Sequence, residues 1–163
     1  MNPRKEEGQL MVFYLISILV SIVDQLSKYL IRLYLPVGET MYVWGILLEH
    51  YENAGMAFSL FQGYARLFAV AAVLFVIAVF YYRKKTEEKR FLMELGLGFL
   101  VGGAVGNAID RILFGRVTDF LVSSSGNGIL NIADHAINIG IVLMFLDAGV
   151  GFVKRFKNKR AKV

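Results

Sequence analysis

The apolar residues of this chain gather into four blocks separated by polar or mixed segments. The first runs over residues 10 to about 35, opening LMVFYLISILVSIV and continuing through Asp24, Lys28 and Arg32. The second covers about 67–82 (LFAVAAVLFVIAVFYY), the third 91 to about 112 with many glycines, and the fourth about 129–153. A bilayer core of about 30 Å is crossed by roughly 20 helical residues, and each block approaches that length. The first is too long for the apolar core of a signal peptide and lacks a small-residue cleavage site, so it reads as a retained span. Two long segments, about 36–66 and 113–128, lie between spans. The earlier one carries Tyr42, Val43, Trp44, Ile46, Leu47, Leu48, Phe58, Leu60 and Phe61, β-branched and aromatic residues that predict short strands. So much apolar surface on a loop must pack or meet lipid, which predicts a small sheet resting on the membrane. The expected fold class is an all-α polytopic membrane protein, residues 1–163 forming a single membrane domain with four transmembrane helices.

Composition supports this reading, and charge orients it. Of 163 residues 56% are hydrophobic and only 19% charged, with a mean hydropathy of +0.55, against about half and a quarter for soluble domains. The net charge of +5 would suggest nucleic acid in a soluble protein. Here Arg83, Lys84, Lys85, Lys89 and Arg90 lie between spans two and three, and Lys154, Arg155, Lys157, Lys159, Arg160 and Lys162 follow span four. Arg4 and Lys5 precede span one, while the other two loops hold only Arg66 and Arg116. By the positive-inside rule both termini and the 83–90 loop are cytoplasmic and the two long loops face outward; no nucleic-acid partner is expected.

The informative residues are the polar ones in apolar surroundings, because a charge deep in the bilayer is costly unless paired or hydrated. With this orientation Glu94 and Asp147 lie near cytoplasmic helix ends and are expected to snorkel towards water and the basic clusters. Asp24, Asp110, Asp119 and Asp134 instead converge near the outer side. On span three Asn107 stands three residues before Asp110 and four before Arg111; on span four Asn131, Asp134 and Asn138 follow the same spacing, so each set shares a helix face. Asp24 and Lys28 sit at i and i+4, the favourable order for an ion pair. Gly98, Gly102 and Gly106 form two overlapping Gly-xxx-Gly steps, which let a second helix approach closely.

Elimination narrows the chemistry. There is no cysteine, hence no thiol nucleophile or thiolate metal site. The two histidines, His50 and His135, form no His-Glu-x-x-His pair, so no metal or other cofactor is expected. Ser27 and Lys28 are adjacent and do not face each other on a helix, and Ser123, Ser124 and Ser125 have no neighbouring base. His135 points about 100° away from Asp134 on a helix and reads as a flanking residue. Carboxylates activating water remain. Two acids sharing a proton titrate as a unit, the charged one taking a proton from water and the neutral one acting on the substrate carbonyl. Spacing alone leaves open which two of the four form the pair. A small proton- or ion-coupled carrier could use the same carboxylates, but a complete carrier of this kind would show an inverted repeat, and none is visible.

Five segments resemble motifs of the bacterial lipoprotein signal peptidases (signal peptidase II). Asp24-Gln25-Leu26-Ser27-Lys28 is similar to Asp-x-x-[Thr/Ser]-Lys, and Asn53-Ala54-Gly55-Met56-Ala57-Phe58 to Asn-x-Gly-Ala-Ala-Phe. Gly106-Asn107-Ala108-Ile109-Asp110-Arg111 resembles Gly-Asn-x-x-Asp-Arg, Val117-Thr118-Asp119-Phe120 resembles Val-x-Asp-Phe, and Asn131-Ile132-Ala133-Asp134 resembles Asn-x-Ala-Asp. Order, spacing and placement on the spans agree from Asp24 to the end of span four. The departures are Met56 for alanine, Ser59 for glycine, Leu130 for phenylalanine before Asn131, and His135 for a small residue beside Asp134.

The resemblance implies an aspartyl endopeptidase of the bacterial cytoplasmic (inner) membrane, a monomer with its active site on the extracytoplasmic side and a small extracytoplasmic β cradle. Its partners would be membrane lipid and diacylglyceryl-modified prolipoproteins, cut just before the lipidated cysteine. The implied catalytic pair is Asp119 and Asp134. Asn53, Gly55, Asn107, Arg111, Asn131 and Ala133 would bind substrate or hold the dyad, and Asp24, Lys28 and Asp110 would support the site structurally.

Overall fold

The computed structural model describes residues 3–55, 61–86, 90–123 and 128–160, with the side chains of residues 3–7, 155, 156, 158 and 159 left aside. Met56, Ala57, Phe58, Ser59, Leu60, Ser124 and Ser125, and the loop basic residue Lys89, lie outside the described residues. The elements are α1 (Pro3–Tyr34), β1 (Thr40–Val43), β2 (Ile46–Asn53), α2 (Ala65–Lys85), α3 (Phe91–Phe114), β3 (Val117–Val122), β4 (Ile129–Leu130) and α4 (Ile132–Arg160).

All four helices are long and apolar enough to cross a membrane. Their ends follow local chemistry. Pro36 disfavours helical backbone at the residue before it, and α1 stops at Tyr34. Gly115, left-handed at φ 69°, closes α3 with its N–H on the Arg111 carbonyl at 3.2 Å, the usual glycine stop. The fourth span starts later than its apolar block, because Ile129 and Leu130 pair with β3 as a short strand. Asn131 is therefore the N-cap of α4 and not a residue within it.

The bundle is centred on α3, which packs against α1, α2 and α4. Across its most apolar window α3 is 61% buried, against 17–22% for the others, whose outward faces are apolar and exposed. Glycines allow this crowding. A Cβ on Gly102 would come within 2.7 Å of Val20 and 2.8 Å of the Ser17 carbonyl of α1, and one on Gly103 within 2.5 Å of the Ala133 carbonyl of α4. Towards the end of the bundle that carries Arg83, residues Phe13, Val79, Leu97, Leu100 and Val101 form the main apolar cluster.

The sheet is antiparallel in the order β1-β2-β3-β4 and covers the end of the bundle where α1 and α3 finish and α4 begins. Alternation along β3 separates two functions. Phe120 packs with Ile31 and Leu35 at the end of α1, while Val117 and Asp119 line a cavity on the other face. His50 of β2 ties the sheet to α1, its Nδ1 lying 2.6 Å from the Leu35 carbonyl oxygen.

Candidate active site

The centre of the site is a buried lysine. Lys28 lies 2.8 Å from Asp24 and 3.2 Å from Asp110, and donates to Asn107 Oδ1 at 2.8 Å. An ammonium group has three N–H donors, and these three partners account for all of them. Lys28, Asp24 and Asp110 have no solvent exposure. The i,i+4 pair expected on span one is thus real, and Asp110 of α3 joins it.

Asp24 also reaches the next helix: its Oδ1 accepts the Ala133 backbone N–H at 2.9 Å. A carboxylate at a helix N-terminus satisfies an otherwise orphaned donor and meets the positive end of the helix dipole. Space for it exists because residue 106 is glycine; a Cβ there would collide with Asp24 Oδ2.

The start of α4 forms a reciprocal cap. Asn131 Oδ1 accepts the Asp134 N–H at 3.0 Å, and Asp134 Oδ2 accepts the Asn131 N–H at 3.2 Å. This is the geometry of a capping box, with Asn at the N-cap and Asp at the third helical position. The i,i+3 spacing found in the sequence reflects this cap and not a polar stripe; Asn138, the next member of that spacing, is exposed, as is His135.

Two carboxylates meet over this cap. The Asn131 side-chain amide donates to Asp119 Oδ1 at 2.6 Å and to Asn107 Oδ1 at 3.1 Å. Asn53 at the end of β2 donates to Asp119 Oδ2 at 3.0 Å, and Asn107 donates to Asp134 Oδ1 at 2.9 Å. Asn131 therefore touches both acids, one through its side chain and the other through its backbone. Asp119 and Asp134 line a common polar cavity of about 20 Å³ with Asn53, Asn107, Arg111 and Asn131, a volume sufficient for one water. Among the described residues no cation approaches either acid within ion-pair distance; their partners are amides and backbone N–H groups. Burial pushes the Asp119 carboxyl up from 3.8 to about 7. The hydrogen bond from Asn53 opposes that shift, the nearby Asp134 charge reinforces it, and Asn131 and Lys28 oppose it more weakly.

Arg111 spans two environments. It donates to the Gly55 carbonyl at 3.1 Å and stands over the Phe68 ring at 5.7 Å, while its buried Nε has no partner among the described residues. It lines both the dyad cavity and an apolar groove of about 350 Å³ between α2 and α3, with Ala69, Val73 and Ile112.

The structure thus brings together Asn53, Gly55, Asn107, Arg111, Asp119, Asn131 and Asp134 around the cavity, with Asp24, Lys28, Asp110 and Ala133 behind it. Sequence reasoning missed Gln25, whose amide donates to Asp110 at 3.1 Å and to the Gly106 carbonyl at 3.0 Å. It also missed Arg32, which donates to Thr118 Oγ1 at 2.9 Å and lies 3.5 Å from Asp110. Arg32 follows Lys28 by four residues, so the Asp24–Lys28–Arg32 face was a usable signal. Glu94 and Asp147 reach the basic cluster as expected, Glu94 against Arg83 and Asp147 against Arg90, each at 2.7 Å, but they do not reach water: both are buried, because the guanidinium meets each carboxylate first.

Comparison with known proteins supplies independent information. Residues 16–150 match the family model described as signal peptidase (SPase) II. A lipoprotein signal peptidase of Listeria monocytogenes serotype 4a is 36% identical over 141 residues, covering 83% of this chain and 92% of that protein. The lipoprotein signal peptidase of Enterococcus faecalis is 37% identical over 140 residues, covering 84% and 87%. A bacterial membrane enzyme solved by the in meso method at 2.3 Å resolution superposes with a TM-score of 0.79 at 30% identity, covering 90% of each chain.

Proposed function

The chain belongs to the signal peptidase II family, and from that premise we propose that it is a membrane aspartyl endopeptidase that removes the signal peptide from diacylglyceryl-modified prolipoproteins, cutting before the lipidated cysteine. The observation that carries the mechanism is the pair Asp119 and Asp134 held by one asparagine around a cavity of about 20 Å³. Asp119, raised to about 7, is the neutral partner near neutral pH. Asp134, capped onto the helix N-terminus, is the base.

The reaction follows from these roles. Asp134 takes a proton from water as its oxygen attacks the scissile carbonyl carbon, and Asp119 gives its proton to the carbonyl oxygen. In the second half Asp134 returns its proton to the leaving amide nitrogen. The carbon–nitrogen bond breaks, and Asp119 recovers its proton from the collapsing hydroxyl. Asn53 and Asn131 orient Asp119, Asn107 orients Asp134, and Arg111 with Gly55 faces the peptide backbone of the substrate. Ala133 supplies the N–H that locks Asp24, and Asp24, Lys28 and Asp110 hold the three helices in register.

The groove shared by α2 and α3 supports lateral entry of an apolar signal helix from lipid, with Arg111 marking where that groove meets the dyad. The basic residues Arg83, Lys84, Lys85 and Arg90 support a cytoplasmic 83–90 loop and cytoplasmic termini. The dyad, at the opposite ends of the helices, then faces the extracytoplasmic side.

A gel-shift assay with lipidated and unlipidated precursor tests this. Wild-type protein should shorten the lipidated precursor far faster than the unlipidated one. Asp119→Asn and Asp134→Asn should fold, bind precursor and leave it uncut. Processing at the wild-type rate by both variants would refute the dyad.

A further inference from the structure

Apart from Asn53 at the far end of β2, the β1–β2 hairpin makes no contribution to the site described above, yet the composition of its tip is hard to reconcile with water. No charged residue occurs between Glu39 and Glu49. Along that stretch Tyr42 is 73% exposed, Trp44 98% and Ile46 53%. An uncharged, apolar edge strand in water is an aggregation hazard that soluble proteins avoid with charges, proline or covering elements. β1 is such an edge, and among the described residues nothing covers it.

The turn itself adds a second observation. Val43 and Ile46 pair across a two-residue loop, and both loop residues are left-handed, Trp44 at φ 49° and Gly45 at φ 81°. Two-residue loops of this kind favour Asn or Asp before Gly. A bulky residue at positive φ is an outlier, with a cost of order 1 kcal/mol or more. The turn thereby carries a large aromatic ring at its tip, almost wholly exposed.

The hairpin cannot drift far from the bilayer. Only residues 35–39 separate α1 from β1, a reach of at most about 18 Å. The base is also fastened to the helix end: His50 Nδ1 meets the Leu35 carbonyl oxygen, and the Gly38 N–H donates to the His50 carbonyl at 2.8 Å. Exposed apolar residues recur along the chain from the end of α1 (Leu30, Leu33, Tyr34) through Val37 to Tyr42 and Trp44. That run, fastened to the end of a helix long and apolar enough to cross a membrane, points to lipid as the occupant.

We propose that the β1–β2 hairpin lies in the lipid headgroup layer with Trp44 as its anchor. Depth follows from the backbone. The outer edge of β1 has unpaired N–H and C=O groups, which hydrocarbon excludes, whereas the interface hydrates them. Tryptophan favours that same layer, its ring apolar and its N–H paired. Because β2 runs from the anchor to Asn53, a strand of eight residues, the membrane surface would set the level at which Asn53 meets Asp119. The anchoring itself does not depend on the dyad mechanism.

Trp44 is the sole tryptophan of the chain, so the wild-type protein carries its own probe. In dilute vesicles of phosphatidylcholine and phosphatidylglycerol, its emission should be blue-shifted relative to tryptophan in water and protected from aqueous iodide. Lipids brominated near the glycerol end of the acyl chain should quench it several-fold more than lipids brominated near the chain terminus. Water-like emission with full iodide quenching would overturn the proposal. So would shielding that appears only as the protein-to-lipid ratio rises, which would mean a second copy covers the hairpin. Shielding that appears only on adding precursor would likewise reassign the surface to substrate.

Discussion

At the end of the bundle that carries Arg83 and Arg90, each buried carboxylate meets a guanidinium: Glu94 and Asp147 lie 2.7 Å from Arg83 and Arg90. Arg83 is further held over the Phe13 ring at 3.5 Å. At the opposite end Lys28 lies 2.8 Å from Asp24 and 3.2 Å from Asp110, but Asp119 and Asp134 beside them are held by asparagines and backbone N–H groups. The first arrangement pairs each carboxylate with its own countercharge. The second neutralises its supporting acids, while among the described residues the two that line the cavity have no cation within ion-pair distance, Arg111 standing in the same cavity without pairing to either. A carboxylate buried among neutral partners keeps its proton, which is why Asp119 is raised to about 7. The two ends use the same residue types; the difference between structure and catalysis lies in which acids receive a countercharge.

Substitutions at the two ends should therefore fail differently. Asp119→Asn or Asp134→Asn should lower cleavage about 10³-fold, within the range for loss of a general acid or base, with little change in the unfolding midpoint in detergent. Glu94→Ala should do the reverse. Leaving Arg83 buried without its carboxylate costs about 3–5 kcal/mol, read as a lower unfolding midpoint, while the rate per folded molecule stays near wild type.

Gly106→Ala probes the boundary between support and chemistry. The added methyl displaces Asp24, and overpacking of this kind costs about 1–3 kcal/mol. Because Asp24 caps Ala133 at the start of α4, the rate per folded molecule should fall as well as stability. Gly102→Ala, which crowds Val20 and the Ser17 carbonyl farther from the dyad, should lower stability alone.

The pH dependence is the finest discriminator. Proton loss from Asp119 removes the acid, so the cleavage rate should fall about tenfold per pH unit once pH rises above about 7. Stability has its own sign. The folded pKa lies above the ordinary 3.8, so folding favours the neutral form. That stabilisation is complete below pH 3.8 and disappears as pH rises to about 7. Melting of wild type measured against Asp119→Asn should decline across this window and level off above it.

Much of this was legible in the chain. Four apolar blocks gave four helices, because length and hydropathy alone satisfy the bilayer condition, and the Gly98–Gly102–Gly106 spacing marked the face of α3 that meets α1. The convergence of Asp24, Asp110, Asp119 and Asp134 followed from helix spacing and loop charge. Contacts distant in sequence were less accessible. Arg32 meets Thr118, 86 residues away, through the sheet, and no local pattern encodes that approach. For Glu94 and Asp147 the basic cluster was foreseen but their burial was not, because snorkelling is argued from a helix alone, whereas their arginines come from neighbouring segments. The start of α4 was misplaced because Ile129 and Leu130 are apolar enough for either state, and pairing with β3 decides.

The account turns on one proton held between Asp119 and Asp134. Infrared spectroscopy of the carboxylic C=O stretch, recorded on wild type and Asp119→Asn across a pH titration, observes that proton directly. The account predicts a protonated-carboxyl band at neutral pH that fades as pH rises through about 7 and is missing from Asp119→Asn. If wild type and Asp119→Asn give the same spectrum at neutral pH, Asp119 is already ionised there and the shared-proton mechanism is contradicted.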